Sequence, residues 1–245
     1  MKVDNRYIAM WSGPRNISTA MMRSFESRDD TVVIDEPFYA HFLHKTKFEH
    51  PGKKDILLSQ DCNWDRVVDM ITGPIPENKA IWYQKHMTQH NLDGCNLEWI
   101  KKFNNCFLIR NPKNVIHSYS KEYIILNERQ LGYIQQQAMI KKIEENTGKT
   151  PPIFDADDIL KNPKGMLEKI CKSVGIRFSN KMLKWDKGGR DSDGVWAKYW
   201  YKNVINTTGF KPYQNKNIKL EKEEISLYKE CMVYYNIMYD KRLTV

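Results

Sequence analysis

Short apolar runs rich in β-branched and aromatic residues alternate along this chain with stretches of helical periodicity. Tyr7 to Trp11, Thr31 to Asp35, Ala80 to Tyr83, Cys106 to Ile109 and Pro152 to Asp155 read as buried strands. Segment 120–146 is mostly helix-forming and leads to Gly148 and Pro151, and 162–173 and 222–239 read as two further helices. Such alternation predicts an α/β fold of three layers, a central parallel sheet of about five strands flanked by helices. The stretches 44–64 and 184–220 carry turn residues and little periodicity. They are expected to form lids or substrate-facing loops near the carboxyl ends of the strands, where ligands lie in folds of this kind.

Composition narrows the class. A chain of 245 residues, 41% of them hydrophobic, supports one sizeable core, so residues 1–245 are read as a single domain. No apolar run approaches the ~20 residues that span a bilayer, and MKVDNRY lacks an apolar leader segment, which gives the expectation of a cytoplasmic protein with no membrane partner. Five scattered cysteines without a CxxC pair argue against a disulfide framework and a zinc site, and no metal is expected. The net charge of +9 suits nucleic acid, an anionic membrane or a small polyanionic ligand. No helix-turn-helix, zinc-finger or RNP signature is present, so no nucleic-acid partner is expected. Nothing in the sequence indicates an oligomeric state.

The candidate chemistry begins at Tyr7–Phe25, where an apolar strand runs into a small-polar turn that opens an amphipathic helix. The segment of Gly13, Pro14, Arg15, Asn16, Ile17, Ser18 and Thr19 can turn its available backbone N–H groups toward one point, because the first N–H groups of a helix lack intrahelical acceptors and the helix dipole favours an anion there. The GxxxxGK[ST] pattern of nucleotide-hydrolysing loops is missing, and the one long cation is Arg15, whose fixed fork suits an oxyanion. An ordinary strand-to-helix connection with a capping serine is the plain alternative.

A second junction follows the fourth strand. Arg110 stands where that strand ends, Asn111-Pro112 is a good helix start, and Ser118 lies two turns into the helix. Arg110 is thus placed to meet an anion beside Ser118, or to form a salt bridge next to a capping Asn.

Together the two junctions resemble the sulfotransferase family that uses 3'-phosphoadenosine 5'-phosphosulfate (PAPS), whose first loop reads approximately TYPKSGTT and whose later junction reads RNxxDxxxS. Ser12 to Thr19 and Arg110 to Ser118 match in order and strand context, with Arg and Ser eight residues apart. SGPRNIST, DEPFYAHFL, YQKHM and SDGVWAKYWYKNV are similar to a bacterial-type subgroup acting on small molecules. The resemblance implies that Arg15 stands at the family's lysine, with Asn16, Ile17, Ser18 and Thr19 on the remaining phosphate contacts, and that Arg110 and Ser118 hold the 3'-phosphate, with Arg190 a further candidate ligand. It implies PAPS as donor, adenosine 3',5'-bisphosphate (PAP) as product, and a small-molecule acceptor. The sequence departs from the cytosolic pattern in Arg15 for Lys, Ile17 for Gly and Asn114 for Asp.

Sulfuryl transfer needs a base for the acceptor and charge stabilisation for the leaving phosphate. Arg15 and the loop N–H groups address the second need. For the first, His86 follows the third strand where cytosolic relatives carry a KxH motif. On a continuing strand Gln84 and His86 share a face while Lys85 points the opposite way. Glu36 is the rival, because Asp35-Glu36-Pro37 ends the second strand and some bacterial relatives place a carboxylate in such an EP motif. Trp196 and Trp200, one helical turn apart, pack or stack on adenine. Tyr39, His41, Phe42, His44 and His90 line an acceptor pocket or simply pack. A P-loop kinase using ATP and a catalytically silent protein that binds PAP remain as alternatives.

Overall fold

The computed structural model describes residues 5–46, 48–125, 127–215 and 217–245. Lys47 of the 44–64 stretch, Leu126 of the expected 120–146 helix and Lys216 of the 184–220 stretch lie outside the described residues.

The chain runs β1 (Arg6–Ser12), α1 (Ser18–Glu26), β2 (Thr31–Asp35), α2 (Tyr39–Thr46), α3 (Lys53–Ser59), α4 (Trp64–Thr72), β3 (Ile81–Met87), β4 (Asn104–Ile109), α5 (Pro112–Tyr119), α6 (Tyr133–Thr147), β5 (Ile153–Asp155), α7 (Ala156–Lys161), α8 (Pro163–Ser173), α9 (Ala197–Trp200) and α10 (Lys222–Asp240). The strands form one parallel sheet in the order β2-β3-β1-β4-β5, as the alternating pattern predicts. The chain leaves β1 toward β2 on one side and later reaches β4 on the other, so the order reverses at β1. A crevice therefore opens at its carboxyl end.

Both faces of the sheet are covered. Ala9, Trp11, Phe107 and Ile109 pack on one face with α4, α5, α6 and α10. Ile8, Met10, Val33, Tyr83 and Leu108 pack on the other with α1, α7 and α8. The odd-even alternation between these sets is the strand period of two. A third apolar cluster joins α2 and α3 to Trp196 and Tyr201, and so ties the 184–220 stretch to the rest of the molecule.

The long helix expected over 120–146 is shorter than the pattern suggested. It begins at Tyr133 behind Gly132, whose φ of 78° ends the preceding turn, and a 3-10 turn occupies Glu128–Gln130. The carboxylate of Glu128 accepts from Ile134 N at 2.8 Å, a cap that favours a helix start at this point over continuation from residue 120.

Candidate active site

Four strand ends converge on one cavity of about 920 Å³. The loop after β1 supplies Pro14, Arg15, Asn16, Ile17, Ser18 and Thr19 to its wall, the end of β2 supplies Glu36, β3 supplies Lys85 and Met87, and the β4–α5 junction supplies Arg110, Asn114 and Ser118. Gly13 lies just beneath the loop, where a Cβ would come within 2.4 Å of the Leu131 carbonyl oxygen; only glycine fits that approach.

The loop is wound unusually for a segment without interior glycine. Arg15 (φ 61°) and Ile17 (φ 56°) are left-handed, and Ile17 caps α1 without a side-chain hydrogen bond. Left-handed residues alternating with right-handed ones turn successive N–H groups to one side and build an anion-binding concavity. Asn16 is fixed beneath, its Nδ2 donating to the Leu108 carbonyl at 3.0 Å.

The two sequence junctions meet directly. Arg15 Nε donates to Ser118 Oγ at 2.9 Å, and Arg110 Nη1 donates to the Arg15 carbonyl oxygen, also at 2.9 Å. Arg110 Nε is buried and makes no hydrogen bond; Asp157 Oδ1 lies 3.6 Å from it. Tyr133 steadies this junction by donating its hydroxyl to the Arg110 carbonyl, and the Asn111 side chain caps α5, with Pro112 in its first turn. Arg15 is held below the usual arginine range, by burial first; Glu122 pulls it upward and Arg110 downward.

Beside the loop lies a buried charged cluster. Lys85 Nζ donates to Asp35 Oδ1 at 2.9 Å, to Glu36 Oε1 at 2.5 Å and to the Tyr201 hydroxyl at 2.9 Å. Tyr201 donates onward to Asp35 Oδ2 at 2.6 Å, which also accepts from Gly194 N. Burial pushes Glu36 up to about 7; Lys85 works against that shift and Asp35 adds to it. Glu36 has φ 41° ahead of Pro37, so its carboxylate is set by a backbone that residues before proline seldom adopt. Its Oε2 faces His90 Nε2 at 3.9 Å.

Aromatic rings close the opposite wall. His90 stacks between Tyr39 and Phe42, and His50 stacks on Trp200 while sharing a short hydrogen bond with the Tyr39 hydroxyl. Burial lowers both imidazoles, His50 to about 4 and His90 well below its ordinary value, so both are neutral near pH 7.

Two candidates from the sequence lie elsewhere. His86 is 1% exposed and stacks on Trp11 at 4.6 Å, with Phe38 and Trp99 around it; its Nε2 meets Gln84 Oε1 at 3.2 Å. The strand period accounts for this: even-numbered residues of β3 face the Trp11 side, so Lys85 instead of His86 reaches the cavity. Burial lowers His86 to about 3. Arg190 is turned toward Glu26, 3.7 Å away, and the Asp186 carbonyl, and does not line the cavity. Trp196 is buried in the third cluster while Trp200 faces the cavity. Tyr39, Phe42 and His90 line it; His41 and His44 do not. Lys85, Asp35, Tyr201 and His50 were not singled out by motif, although the alternation along YQKHM already separates Lys85 from His86.

Residues 6–242 match the family model described as a sulfotransferase domain. The chain is 34% identical over 232 residues to the branched-chain-amino-acid aminotransferase-like proteins 2 and 1 of Arabidopsis thaliana; the match covers 94% of this chain and 41% of each of those longer proteins. Among solved structures it resembles the sulfotransferase domain of the Synechococcus PCC 7002 olefin synthase (TM-score 0.55, 15% identity, 94% of this chain and 96% of that one). It also resembles a sulfotransferase from Alicyclobacillus acidocaldarius (TM-score 0.53, 11% identity, 97% of each chain). At these identities the structural likeness concerns the fold.

Proposed function

The chain belongs to the sulfotransferase domain family, and we propose that it transfers a sulfuryl group from PAPS to a hydroxyl or amine of a small acceptor, with Glu36 as general base. The observation that carries this reading is the convergence of two anion-binding junctions, joined by the Arg15–Ser118 hydrogen bond, on a cavity that also holds a buried carboxylate raised to about 7.

The residues suit a donor with anionic groups at two points. No acceptor among the described residues takes the Nη groups of Arg15, and Arg110 Nε is buried without a hydrogen bond. The loop N–H groups favour a phosphate at the start of α1. In the reaction the acceptor's proton passes to Glu36 Oε2, the oxygen that Lys85 leaves open. The acceptor atom bonds to sulfur as the bond from sulfur to the 5'-phosphate oxygen breaks, and the electron pair remains on that phosphate. The loop N–H groups stabilise the charge that develops there. Tyr39, Phe42, His50, His90 and Trp200 provide an aromatic wall of neutral side chains for the body of the acceptor.

Incubation with PAPS and pooled hydroxyl and amine compounds, read by mass spectrometry for addition of a sulfuryl group, tests the reading. Magnesium-independent sulfation of at least one acceptor, abolished by Glu36→Gln, is expected. Binding of PAP without turnover on any pool identifies a silent nucleotide-binding protein instead, and transfer from ATP identifies a kinase.

A further inference from the structure

The polar groups around Glu36 are almost all spent on one another. Lys85 uses its three N–H bonds on Asp35, Glu36 and Tyr201, and Tyr201 gives its own proton to Asp35. The Tyr39 hydroxyl is tied to His50, and the Thr88 hydroxyl donates to the carbonyls of Ser12 at 3.3 Å and Gly132 at 3.4 Å. Gln89 differs from all of these. It lines the cavity, yet its carboxamide has no hydrogen-bond partner among the described residues, and its Oε1 is buried.

Its neighbours fix where that carboxamide stands. Thr88–His90 forms a 3-10 turn directly after β3, with Thr88 bonded to the end of β1 and His90 stacked between Tyr39 and Phe42. A Cβ on Gly132 would meet Gln89 Oε1 at 3.1 Å and the Gly13 Cα at 3.6 Å, so the carboxamide lies just across Gly132 from the first residue of the β1–α1 loop. On the other side, the next residue brings His90 Nε2 to 3.9 Å from Glu36 Oε2. Gln89 is thus set between the loop and the open oxygen of Glu36. Its Oε1 is turned to Gly132, which leaves Nε2 as the branch toward the cavity.

The group in transfer passes between those two points, with its sulfur flanked by the 5'-phosphate at the start of α1 and the acceptor atom at Glu36. Its non-bridging oxygens carry negative charge, and holding one of them fixes the line of attack. Lys85 has no N–H left for that task. A neutral amide supplies the donor without placing a second cation near Glu36, where added positive charge would lower the basicity of the carboxylate.

We propose that Gln89 Nε2 donates a hydrogen bond to a non-bridging sulfuryl oxygen of the donor, and so holds the sulfur in line between the leaving phosphate and the acceptor atom. This rests on the reading of PAPS as donor and Glu36 as base. Gln89 forms no covalent bond and moves no proton: the acceptor atom bonds to sulfur, the bond from sulfur to the 5'-phosphate oxygen breaks with its electron pair left on the phosphate, and the acceptor's proton goes to Glu36.

The test compares PAPS with PAP, which lacks the sulfuryl group, by calorimetry on the wild type, Gln89→Met and Gln89→Glu, with thermal melts to check folding. Gln89→Met keeps the shape and removes the donor, and is expected to weaken PAPS about fivefold while changing PAP less than about twofold. Gln89→Glu replaces the donor by a carboxylate facing the sulfuryl oxygens and should weaken PAPS further than Gln89→Met does, again with little change for PAP. Steady-state kinetics on the acceptor found with PAPS should show kcat lowered about 30-fold in Gln89→Met with the acceptor KM within about twofold. Equal weakening of PAPS and PAP, or unchanged PAPS affinity with unchanged kcat, overturns the contact. A raised acceptor KM at unchanged kcat also overturns it, because the carboxamide then meets the acceptor instead of the sulfuryl group. A wild type that binds neither nucleotide overturns the donor reading itself, and the contact with it.

Discussion

Asp35 and Lys85 are register partners on adjacent parallel strands, and their side chains meet at 2.9 Å within the sheet's carboxyl edge. Partners on neighbouring strands present their side chains to the same face, so this ion pair follows from register. Glu36, the next residue, is turned by its left-handed backbone so that it shares the same ammonium. A carboxylate is thereby fixed one residue past the end of a strand, held by the strand beside it.

The neighbours act on Glu36 with opposite signs, which gives a paired prediction. Lys85 holds its pKa down and Asp35 holds it up. Lys85→Met should therefore move the acid limb of the kcat/KM profile to higher pH, and Asp35→Asn should move it lower. Lys85→Met also leaves two buried carboxylates without their cation, and a stability loss of about 3–5 kcal/mol is expected in denaturant unfolding. Shifts of the same sign in both variants would remove Glu36 from the role of base.

Glu36 itself should set the pH dependence of turnover. A base must be deprotonated to act, and burial raises this one to about 7, so activity is full above that value and falls about tenfold per pH unit below it. Glu36→Gln should lower kcat by at least about 100-fold with PAP affinity within a few-fold of wild type. Steady-state kinetics from pH 5 to 9 with parallel nucleotide binding provides the check.

The sheet, its five strands and both strand-to-helix junctions were legible because each rests on local pattern: apolar runs for the strands, a small-polar turn opening a helix for the β1–α1 loop, and Asn111-Pro112 for the start of α5. The centre of the charged cluster was only half legible. Alternation along β3 separates Lys85 from His86, but which face meets the cavity depends on which helices cover each side of the sheet. Tyr201 lies 166 residues from its acceptor Asp35, in a stretch of weak periodicity, and no local signal ties them together. The resemblance offered Arg190 as a candidate phosphate ligand, yet nearby Glu26 and the Asp186 carbonyl hold it.

His86 separates packing from catalysis. Its ring is enclosed by Trp11, Phe38 and Trp99, and burial lowers it to about 3, so it is neutral at working pH. His86→Ala would open a gap among these rings and should cost about 2–4 kcal/mol. The folded fraction should keep kcat within about threefold and leave the pH profile unmoved, because Glu36 sets that profile. A lost acid limb in this variant would return the base to the imidazole.

Ile17 is the most strained feature of the β1–α1 loop, and its replacement tests whether that strain is stored there. A β-branched residue at φ 56° pays about 1–2 kcal/mol against its Cβ. Glycine relieves that cost, but gives up about 1 kcal/mol of half-buried contact with the α1 side of the core and about 0.5–1 kcal/mol through the greater freedom of the unfolded chain. The opposing quantities nearly cancel, so Ile17→Gly should leave stability within about 1 kcal/mol of wild type. Ile176 offers the control: it is likewise half-buried against that cluster but lies outside the left-handed region. There no strain is released, and Ile176→Gly should cost about 1.5–2 kcal/mol. Denaturant midpoints for the two variants compare the sites directly, and equal losses would show that the left-handed turn at residue 17 carries no strain for glycine to release.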